Sequence, residues 1–558
     1  MKFIVIIKFI NLSRLFCKFN LFYLFLIFFS VYNLKLMANI LLILLPSQLF
    51  EPQYIKKIFA YTEDNTKIKS KHICLWEHKY FFTKFKYHKM KLIFHRSSMK
   101  KYFDSIKSTE YSKFYLEIND NLNKLDKYIK SNNIDQIRFF NPIEKELVSI
   151  IMENKIINQV EKILFPSPYF LNSTNLDKNK TINESLGGLR HDLFYKSQRI
   201  KYNIMVKKSG SKYIPDGDKW SYDTENRSPF EKSQQEPPIL KLGSKKRQEY
   251  LELAVQYVET NFSTHYGTTD LTNFIYPIDR EEALEWLKYF VSHKLDKFGK
   301  YEDALSSKIK FGFHSVLSPL TNIGLITPID IINQVKEYKK NMASKEGFIR
   351  QVIGWREYCY FTYDLYGKNL VSSSIYSSNK YSVSKHIWDC STQIPPIDNI
   401  LKNVSSNAYS HHIERLMGIG NFLVLIETNP KEIYKWFQTM YIDAYDVFMV
   451  PNVYGMLCYG KLNENSHMMT RPYFASSNYL IKMSNYKSES CVKIGNQLYK
   501  WDEIMDALYW YHIYKHSAEF KKIYATSSGV ARFAKFDSNK KKHIIELAKK
   551  YIMWIHKK

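Results

Sequence analysis

The chain has 558 residues, of which 45% are apolar and 24% charged, and its formal net charge at pH 7 is +27. This composition excludes a wholly disordered chain and a polytopic membrane protein, and the length allows roughly three to four domains or two large ones. So large a basic surplus favours polyanionic partners such as nucleic acid, an anionic membrane or phosphorylated ligands. Coding bias is the alternative explanation, because Lys, Asn, Ile, Tyr and Phe are all abundant.

The cysteines are few and widely spaced. None of the six forms the C-x-x-C half-site that is typical of structural zinc, and their spacing is unlike that of a small disulfide framework. We therefore expect reduced thiols, no metal site and an intracellular protein.

The first 36 residues differ from the rest of the chain. They carry five basic residues and no acidic one, and residues 19–34 form an uncharged, mostly apolar run. That run is short for a membrane-spanning helix, and no small-x-small cleavage motif follows it. We interpret residues 1–36 as a hydrophobic basic extension outside the fold, which would contact a membrane only if it is retained.

Residues 37–165 predict an α/β domain. A helix is expected at residues 144–153 and a further strand within residues 155–164. The other expected strands are residues 40–45, 73–76, 91–94 and 137–140. Strands that alternate with helices are typical of a doubly wound parallel sheet, although the dinucleotide-binding pattern G-x-G-x-x-G is absent.

The remainder divides into a connector and a helical domain. Residues 166–240 are polar and rich in proline, which predicts a long connector over the surface. Residues 241–558 repeat apolar side chains at three- and four-residue steps, which predicts a large all-α domain. Thr327 followed by Pro328 is a typical helix start.

Several short sequence strings follow one another in the helical domain. They are HSVLSP at 314–319, GWREY at 354–358, YSHHIERLM at 409–417, YIDAY at 441–445 and VPNVYGM at 450–456. In this order and spacing they resemble the photolyase/cryptochrome superfamily. They most resemble the bacterial (6-4) photolyases that carry an iron–sulfur cluster, also described as photolyase-related proteins. The resemblance extends from Met37 to about Trp510.

This resemblance implies a light-driven DNA repair enzyme. Its relatives combine an α/β domain with an all-α domain that binds FAD, and a ribityl lumazine antenna is implied in the α/β domain. Excited reduced flavin then passes an electron to a UV-damaged pyrimidine pair flipped out of the helix. The implied partner is UV-damaged DNA, bound by a monomer that needs no obligatory protein partner, in the cytoplasm, the nucleus or a viral replication site.

The resemblance assigns roles to the serines and to the Trp-Arg pair. Ser315 and Ser318 would bind a flavin phosphate, although ordinary helix caps would look the same. Trp355 and Arg356 match the Trp-Arg-Glu string whose Trp packs on the lesion in other photolyases, and a core Trp is the alternative.

Two adjacent histidines match the proton donor of the (6-4) enzymes. On a helix, His411 and His412 would point about 100° apart, so only one could face the flavin pocket. His412 aligns best with the donor, and a group that titrates near neutral pH suits general acid catalysis. A surface or core histidine pair is the alternative.

An ion pair and two tryptophans complete the implied flavin environment. Arg415 and Asp443 match a pair beside the flavin and are expected on two helices, with a plain interhelix salt bridge as the alternative. Trp388 and Trp436 match the aromatics that re-reduce the flavin from the surface.

The antenna residues are the least specific of the implied contacts. Glu77 and Lys89 match positions that would contact the antenna. A strand end and a solvated loop would explain these two residues equally well.

The chain departs from the family pattern at three places. Phe437 replaces a Tyr, and Met449 replaces the Glu or Asn that faces flavin N5, where a thioether neither donates nor accepts a proton well. Pro395 lies in a segment that carries a cluster cysteine in relatives, and Cys491 is the lone candidate in the other segment. We therefore predict that the iron–sulfur cluster is absent.

These departures leave three hypotheses. The leading one is a (6-4) photolyase without the cluster. A cryptochrome-like blue-light sensor would keep the flavin and lack repair, and a light-independent DNA-binding relic would lack the flavin.

Overall fold

The computed structural model describes residues 37–62, 67–173 and 190–557. The predicted basic extension, residues 1–36, lies outside these ranges. Within them, no helix has both the length and the apolar character needed to cross a membrane.

Residues 37–165 contain a five-stranded parallel sheet in the order β3-β2-β1-β4-β5. The strands are β1 Met37–Leu44, β2 Lys67–Trp76, β3 Ser112–Leu116, β4 Gln136–Phe140 and β5 Glu161–Phe165. The helices between these strands are Pro52–Ala60, Lys79–Phe82, Lys89–Ser105, Asn123–Ser131 and Lys145–Met152. β1 is central because the run from Ile40 to Leu44 is buried on both faces, as parallel strands covered by helices require.

One predicted strand is wrong, and one observed strand was not predicted. Residues 91–94 lie inside the helix Lys89–Ser105, which starts where the His88 ring accepts a hydrogen bond from the Met90 N–H at 3.1 Å. Leu92 and Phe94 are both fully buried, and periodicity alone cannot distinguish a short buried helix segment from a strand. The edge strand β3 has only one fully buried residue, Leu116, so its apolar signal is weak.

The predicted connector is more structured than expected. It contains the helix His191–Lys201 and a hairpin of Val206–Ser209 with Lys212–Pro215. Phe194 and Tyr195 of that helix are buried against the helical half, so the segment is part of the core.

The second half is mostly helical. Its longer helices are Lys245–Phe262, Arg280–His293, Pro328–Lys336, Met342–Ile349, Glu357–Ser372, Pro395–Asn407, Pro430–Met440, Trp501–Lys515, Tyr524–Ala534 and Ser538–Ile555. The expectation of an all-α domain needs correction, because two small hairpins join these helices, Lys461–Asn463 with Ser466–His467 and Cys491–Ile494 with Gln497–Lys500. The predicted start at Thr327 is confirmed by a capping box in which Thr327 and Asp330 bond each other's backbone. The predicted fold class is thus confirmed in its main features.

Two hydrophobic cores meet within the helical half. The first joins the parallel sheet to residues that include Ile442 and Val450, and the second includes Trp436, Ala444 and Met449. The buried side chains between residues 441 and 454 alternate between the two cores, so this segment runs along their boundary.

We expect Leu42→Ala to destabilise the fold by about 2–5 kcal/mol, because the side chain is fully buried in the central strand. Urea unfolding followed by circular dichroism measures this change. Leu253→Ala, at a side chain 63% exposed, is the control and should change stability by less than about 0.5 kcal/mol. Equal effects of the two substitutions would contradict the assignment of β1 to the core.

Candidate functional site

A buried ion pair lies where the two cores meet. The Arg415 guanidinium donates to both carboxylate oxygens of Asp443, at 2.9 Å to Oδ1 and 3.0 Å to Oδ2. The guanidinium also lies over the Tyr441 ring, 4.2 Å from its centroid. Burial by itself lowers the pKa of Arg415, but the Asp443 carboxylate outweighs burial and raises it, so the cation is held firmly.

Asp443 also accepts hydrogen bonds from two residues of another segment. Ser318 Oγ donates to its Oδ2 at 2.5 Å, and the Asn322 side-chain amide donates to its backbone carbonyl at 2.8 Å. Arg356 in turn donates to the Asn322 amide oxygen at 2.5 Å. One hydrogen-bonded network therefore connects four predicted site residues: Ser318, Arg356, Arg415 and Asp443.

Asp443 is not on a helix, contrary to expectation. The helix Pro430–Met440 ends three residues earlier, and Asp443 lies in the turn that follows. Arg415 is the second residue of a π-helical segment, Glu414–Gly420. The predicted pair of Arg415 and Asp443 is therefore present in the structure. It joins a π-helical segment to a turn and does not join two helices.

Three other predicted residues lie in or next to π-helical segments. Trp355 and Arg356 end the π-helical segment Arg350–Arg356, and Met449 directly precedes the π-helical segment Val450–Leu457. Trp355 Nε1 donates to the Asn452 side-chain oxygen at 3.1 Å, which joins the first of these segments to the third. Such wide turns are often found at functional sites because they displace side chains from the regular helical positions.

The two adjacent histidines have different surroundings. His411 is buried and its ring stacks on His314, with centroids 4.4 Å apart. The His412 side chain is 47% exposed, and its Nε2 lies 3.3 Å from Asp303 Oδ1. His412 is therefore the histidine that a ligand from solvent can reach.

The protonation of the three rings follows from these surroundings. Burial lowers the pKa of His314 and of His411 well below the ordinary value, which keeps both rings neutral. Burial also acts to lower the pKa of His412, but the hydrogen bond and the charge of Asp303 outweigh it and raise that pKa. His412 thus keeps its proton to higher pH than an isolated histidine.

The same histidines are the only group of three potential metal ligands within the described ranges, with ring nitrogens within 4.8 Å of one another. A zinc ion would need nitrogens about 2.0–2.1 Å from the metal. The rings of His314 and His411 are stacked with planes only 8° apart, so no ion can lie in both ring planes, where the nitrogen lone pairs point. The prediction of no metal site stands as a prediction.

Several buried nitrogens around the network lack a partner. His314 Nε2, His411 Nδ1, Arg356 Nε and Trp436 Nε1 have no hydrogen bond to any described residue. Unsatisfied buried polar atoms are rare in native proteins and usually indicate a ligand, an ion or water. A donor-rich, buried set of this kind, beside the Arg415–Asp443 pair, suits a large ligand with phosphates and a heteroaromatic ring, as FAD is.

The predicted electron-transfer tryptophans are close together. The buried ring of Trp436 lies 5.8 Å from Tyr441 and 6.5 Å from Trp388. Tyr441 is the ring beneath Arg415, so the aromatic contacts begin at the ion pair. Phe437 stacks on Tyr441 at 5.2 Å, where it adds packing but no phenol.

Two predicted residues have purely internal contacts. The Ser315 carbonyl accepts from Trp286 Nε1 at 2.8 Å, and its Oγ accepts from the Leu317 N–H at 3.4 Å. Met449 is 4% exposed in the second core.

The predicted antenna residues lie apart, in the α/β domain. The buried Glu77 carboxylate accepts hydrogen bonds from Arg96, Tyr115 and Tyr257 at 2.5, 2.6 and 2.8 Å. Lys89 begins a helix, and its backbone N–H donates to the Tyr266 carbonyl. A ligand that bonds Glu77 would have to replace one of the tyrosine hydroxyls.

A cavity of about 480 Å³ lies between the segments that contain Pro395 and Cys491. Among its lining residues, Cys491 is the one cysteine; the others are Ser307, Gln393, Pro395, Asp398, Asn399, Lys402, Tyr486 and Ser490. A four-thiolate site cannot be assembled from this lining. Absence of the cluster stays a prediction.

The fold is similar to that of two solved structures. A bacterial class III photolyase from Agrobacterium tumefaciens superposes with a TM-score of 0.51 and 13% identity, covering 92% of this chain and 98% of that one. A cryptochrome of Synechocystis sp. PCC6803 gives a TM-score of 0.51 and 12% identity, covering 80% and 88%. At these identities the similarity concerns the fold alone.

Sequence comparison adds the relationship. A family model described as deoxyribodipyrimidine photo-lyase-related protein matches residues 43–274. A (6-4) photolyase of Agrobacterium fabrum is 29% identical over 360 residues, which cover 63% of this chain and 68% of that protein. The chain is thus similar in sequence to photolyase-related proteins over residues 43–274 and to a (6-4) photolyase over 360 residues. A protein of Acanthamoeba polyphaga mimivirus, R855, is also 34% identical over 135 residues, 24% of this chain and 96% of that protein.

Three residues of the site were missed by sequence reasoning. His314 opens the string at 314–319 that carries the superfamily resemblance, whereas Asp303 lies eleven positions before His314 and Asn322 three positions after the end of that string. Their residue types gave no role, because only the folded arrangement shows that Asp303 faces His412 and that Asn322 bridges Arg356 to Asp443.

Removing one partner of the Arg415–Asp443 pair should destabilise the fold. We expect Asp443→Asn to lower the free energy of unfolding by about 3–5 kcal/mol, because it leaves the Arg415 charge buried and uncompensated. Urea unfolding is the measurement. The control is Glu546→Gln, which removes an exposed partner of Lys542 and should cost no more than about 1 kcal/mol. A similar, small cost for both would show that the pair is not buried in solution.

The titration of His412 should depend on Asp303. We expect Asp303→Asn to lower the pKa of His412, and NMR of the imidazole carbons against pH measures it. The native pair stabilises the fold fully below the unfolded-state pKa near 6.5, and this contribution is lost as pH rises through the higher folded-state pKa. Glu503→Gln, which removes the carboxylate partner of His543, should leave the His412 titration unchanged. An unaltered titration in Asp303→Asn would contradict the assignment.

Proposed function

We propose that this protein repairs (6-4) photoproducts in UV-damaged DNA under blue light, with FAD as its cofactor. The observation that carries the proposal is the half-exposed His412–Asp303 pair beside the buried network around Asp443. The raised pKa of His412 supports a role as the general acid that would protonate a flipped-out base reached from solvent.

The cofactor part of the proposal rests on the buried donors. Relatives in the superfamily generally bind FAD. In this chain Arg415, Asp443 and Ser318 would hold the flavin, and the unpartnered nitrogens of His314 and Arg356 are further candidates for contact. FAD, when bound and reduced, supplies the light-absorbing electron donor.

Other features of the chain would bind the DNA substrate and protonate the lesion. Nε2 of His412 faces Asp303, which leaves Nδ1–H of the imidazolium to donate the proton to the lesion. Trp355, at the end of a π-helical segment, would stack on the extruded base. The +27 net charge would supply affinity for DNA phosphates that is independent of base sequence.

Further parts of the proposal concern assembly and the antenna. The protein would act on DNA as a monomer. A ribityl lumazine near Glu77 and Lys89 would require the Tyr115 or Tyr257 hydroxyl to move from the Glu77 carboxylate.

The second candidate function is a cryptochrome-like light sensor. It is favoured by Met449, a buried thioether where relatives place a polar side chain, because such a residue cannot exchange a proton with a neighbouring flavin. A sensor would retain FAD and its photochemistry without restoring damaged DNA.

We expect His412→Ala to lower the repair rate by about 10²–10⁴-fold, the usual contribution of a general acid. The full chain with reduced flavin is mixed with an oligonucleotide that carries one (6-4) lesion, and HPLC follows restoration in blue light and in darkness. His543→Ala is the matched control, because His543 is also exposed and paired with a carboxylate at 3.3 Å.

The outcomes separate the three hypotheses. Light-dependent restoration that is lost in His412→Ala and kept in His543→Ala supports repair. A bound, photoreducible flavin without restoration of (6-4) or cyclobutane lesions would leave the sensor. Protein without flavin would indicate a light-independent relic.

A further inference from the structure

Tyr266 extends the aromatic contacts beyond the two predicted tryptophans. Its ring stacks on Trp388 with centroids 4.1 Å apart and planes at 18°. Trp388 in turn lies 6.5 Å from the buried Trp436. The side chain of Tyr266 is 36% exposed, so the three rings run from the interior to solvent.

The segment that carries Tyr266 is fixed by the α/β domain. The Tyr266 carbonyl accepts from the Lys89 N–H at 2.8 Å, and His265 Nδ1 lies 2.9 Å from the Tyr87 carbonyl oxygen. Gly267 has a φ of +80°, and a Cβ there would lie 2.1 Å from the His88 ring. Only glycine fits this position, so the backbone beside Tyr266 is held against the neighbouring domain.

We propose that Tyr266 is the outermost electron donor of the chain Trp436–Trp388–Tyr266. This inference rests on the proposed function, which requires bound FAD in its reduced form; the oxidant here is the photoexcited oxidised form of that FAD. Trp436 gives one electron to that flavin, and Trp388 gives one electron to the Trp436 cation radical. Tyr266 gives one electron to the Trp388 cation radical and its phenolic proton to water.

The result is a neutral tyrosyl radical at the surface, which a soluble thiol reduces by donating a hydrogen atom. Return of the electron from the flavin to Tyr266 would require the lost proton to come back from solvent, so charge recombination is slowed. Tyr266 also supplies a phenol in a chain whose position after Trp436 is Phe437, which has none.

The test uses Tyr266→Phe, which keeps the stacked ring and removes the phenol. The full protein with oxidised FAD is excited by a blue flash without added thiol, and electron paramagnetic resonance detects the radical. Ring-deuterated tyrosine identifies a tyrosyl signal by narrowing it. Tyr289→Phe is the matched control, because Tyr289 stacks on His293 at 4.3 Å and 16°.

We expect a tyrosyl signal in the native protein and in Tyr289→Phe. It should be lost in Tyr266→Phe, where a tryptophan radical remains, and lost in Trp388→Phe. An undiminished tyrosyl signal in Tyr266→Phe, or a native protein that shows only tryptophan radicals, would overturn the inference and leave the repair proposal intact. Protein that retains no flavin would overturn both.

Discussion

The Arg415–Asp443 pair is the constraint on which the rest of the site depends. It lies between two hydrophobic cores, so both charges must be compensated within the protein. Asp443 accepts hydrogen bonds from Ser318 and Asn322, and the Asn322 side-chain oxygen in turn accepts one from Arg356. The α/β domain contributes as well, because the buried Lys91 amino group donates to the Ala444 carbonyl at 2.6 Å.

A buried pair of this kind adds little stability compared with well-packed apolar residues, so its value is better sought in function. The surrounding features agree with that interpretation. Three π-helical segments contain or adjoin the predicted site residues, and buried nitrogens near the pair lack partners. Each of these features lowers the stability of a helical core. Their occurrence together indicates the region where a ligand would bind.

The central strand and most helices could be predicted from the sequence because hydrophobic periodicity and caps are local signals, as β1 and the Thr327 helix start show. The edge strand β3 could not, since one buried residue in five leaves no pattern. The Arg415–Asp443 pair was predicted through family resemblance. The Asp303–His412 contact joins positions 109 residues apart, and no local signal exists for it. For the same reason Tyr266 could be assigned only after its stacking on Trp388 was seen.

The central claim is that the network around Asp443 holds a flavin. The most direct test is to denature the natively purified full chain and quantify released FAD by absorbance and mass spectrometry against protein concentration. The account predicts about one FAD per chain, as one buried site allows. Protein that contains no flavin and acquires none on incubation with FAD would contradict it, and the pair would then be a structural ion pair alone.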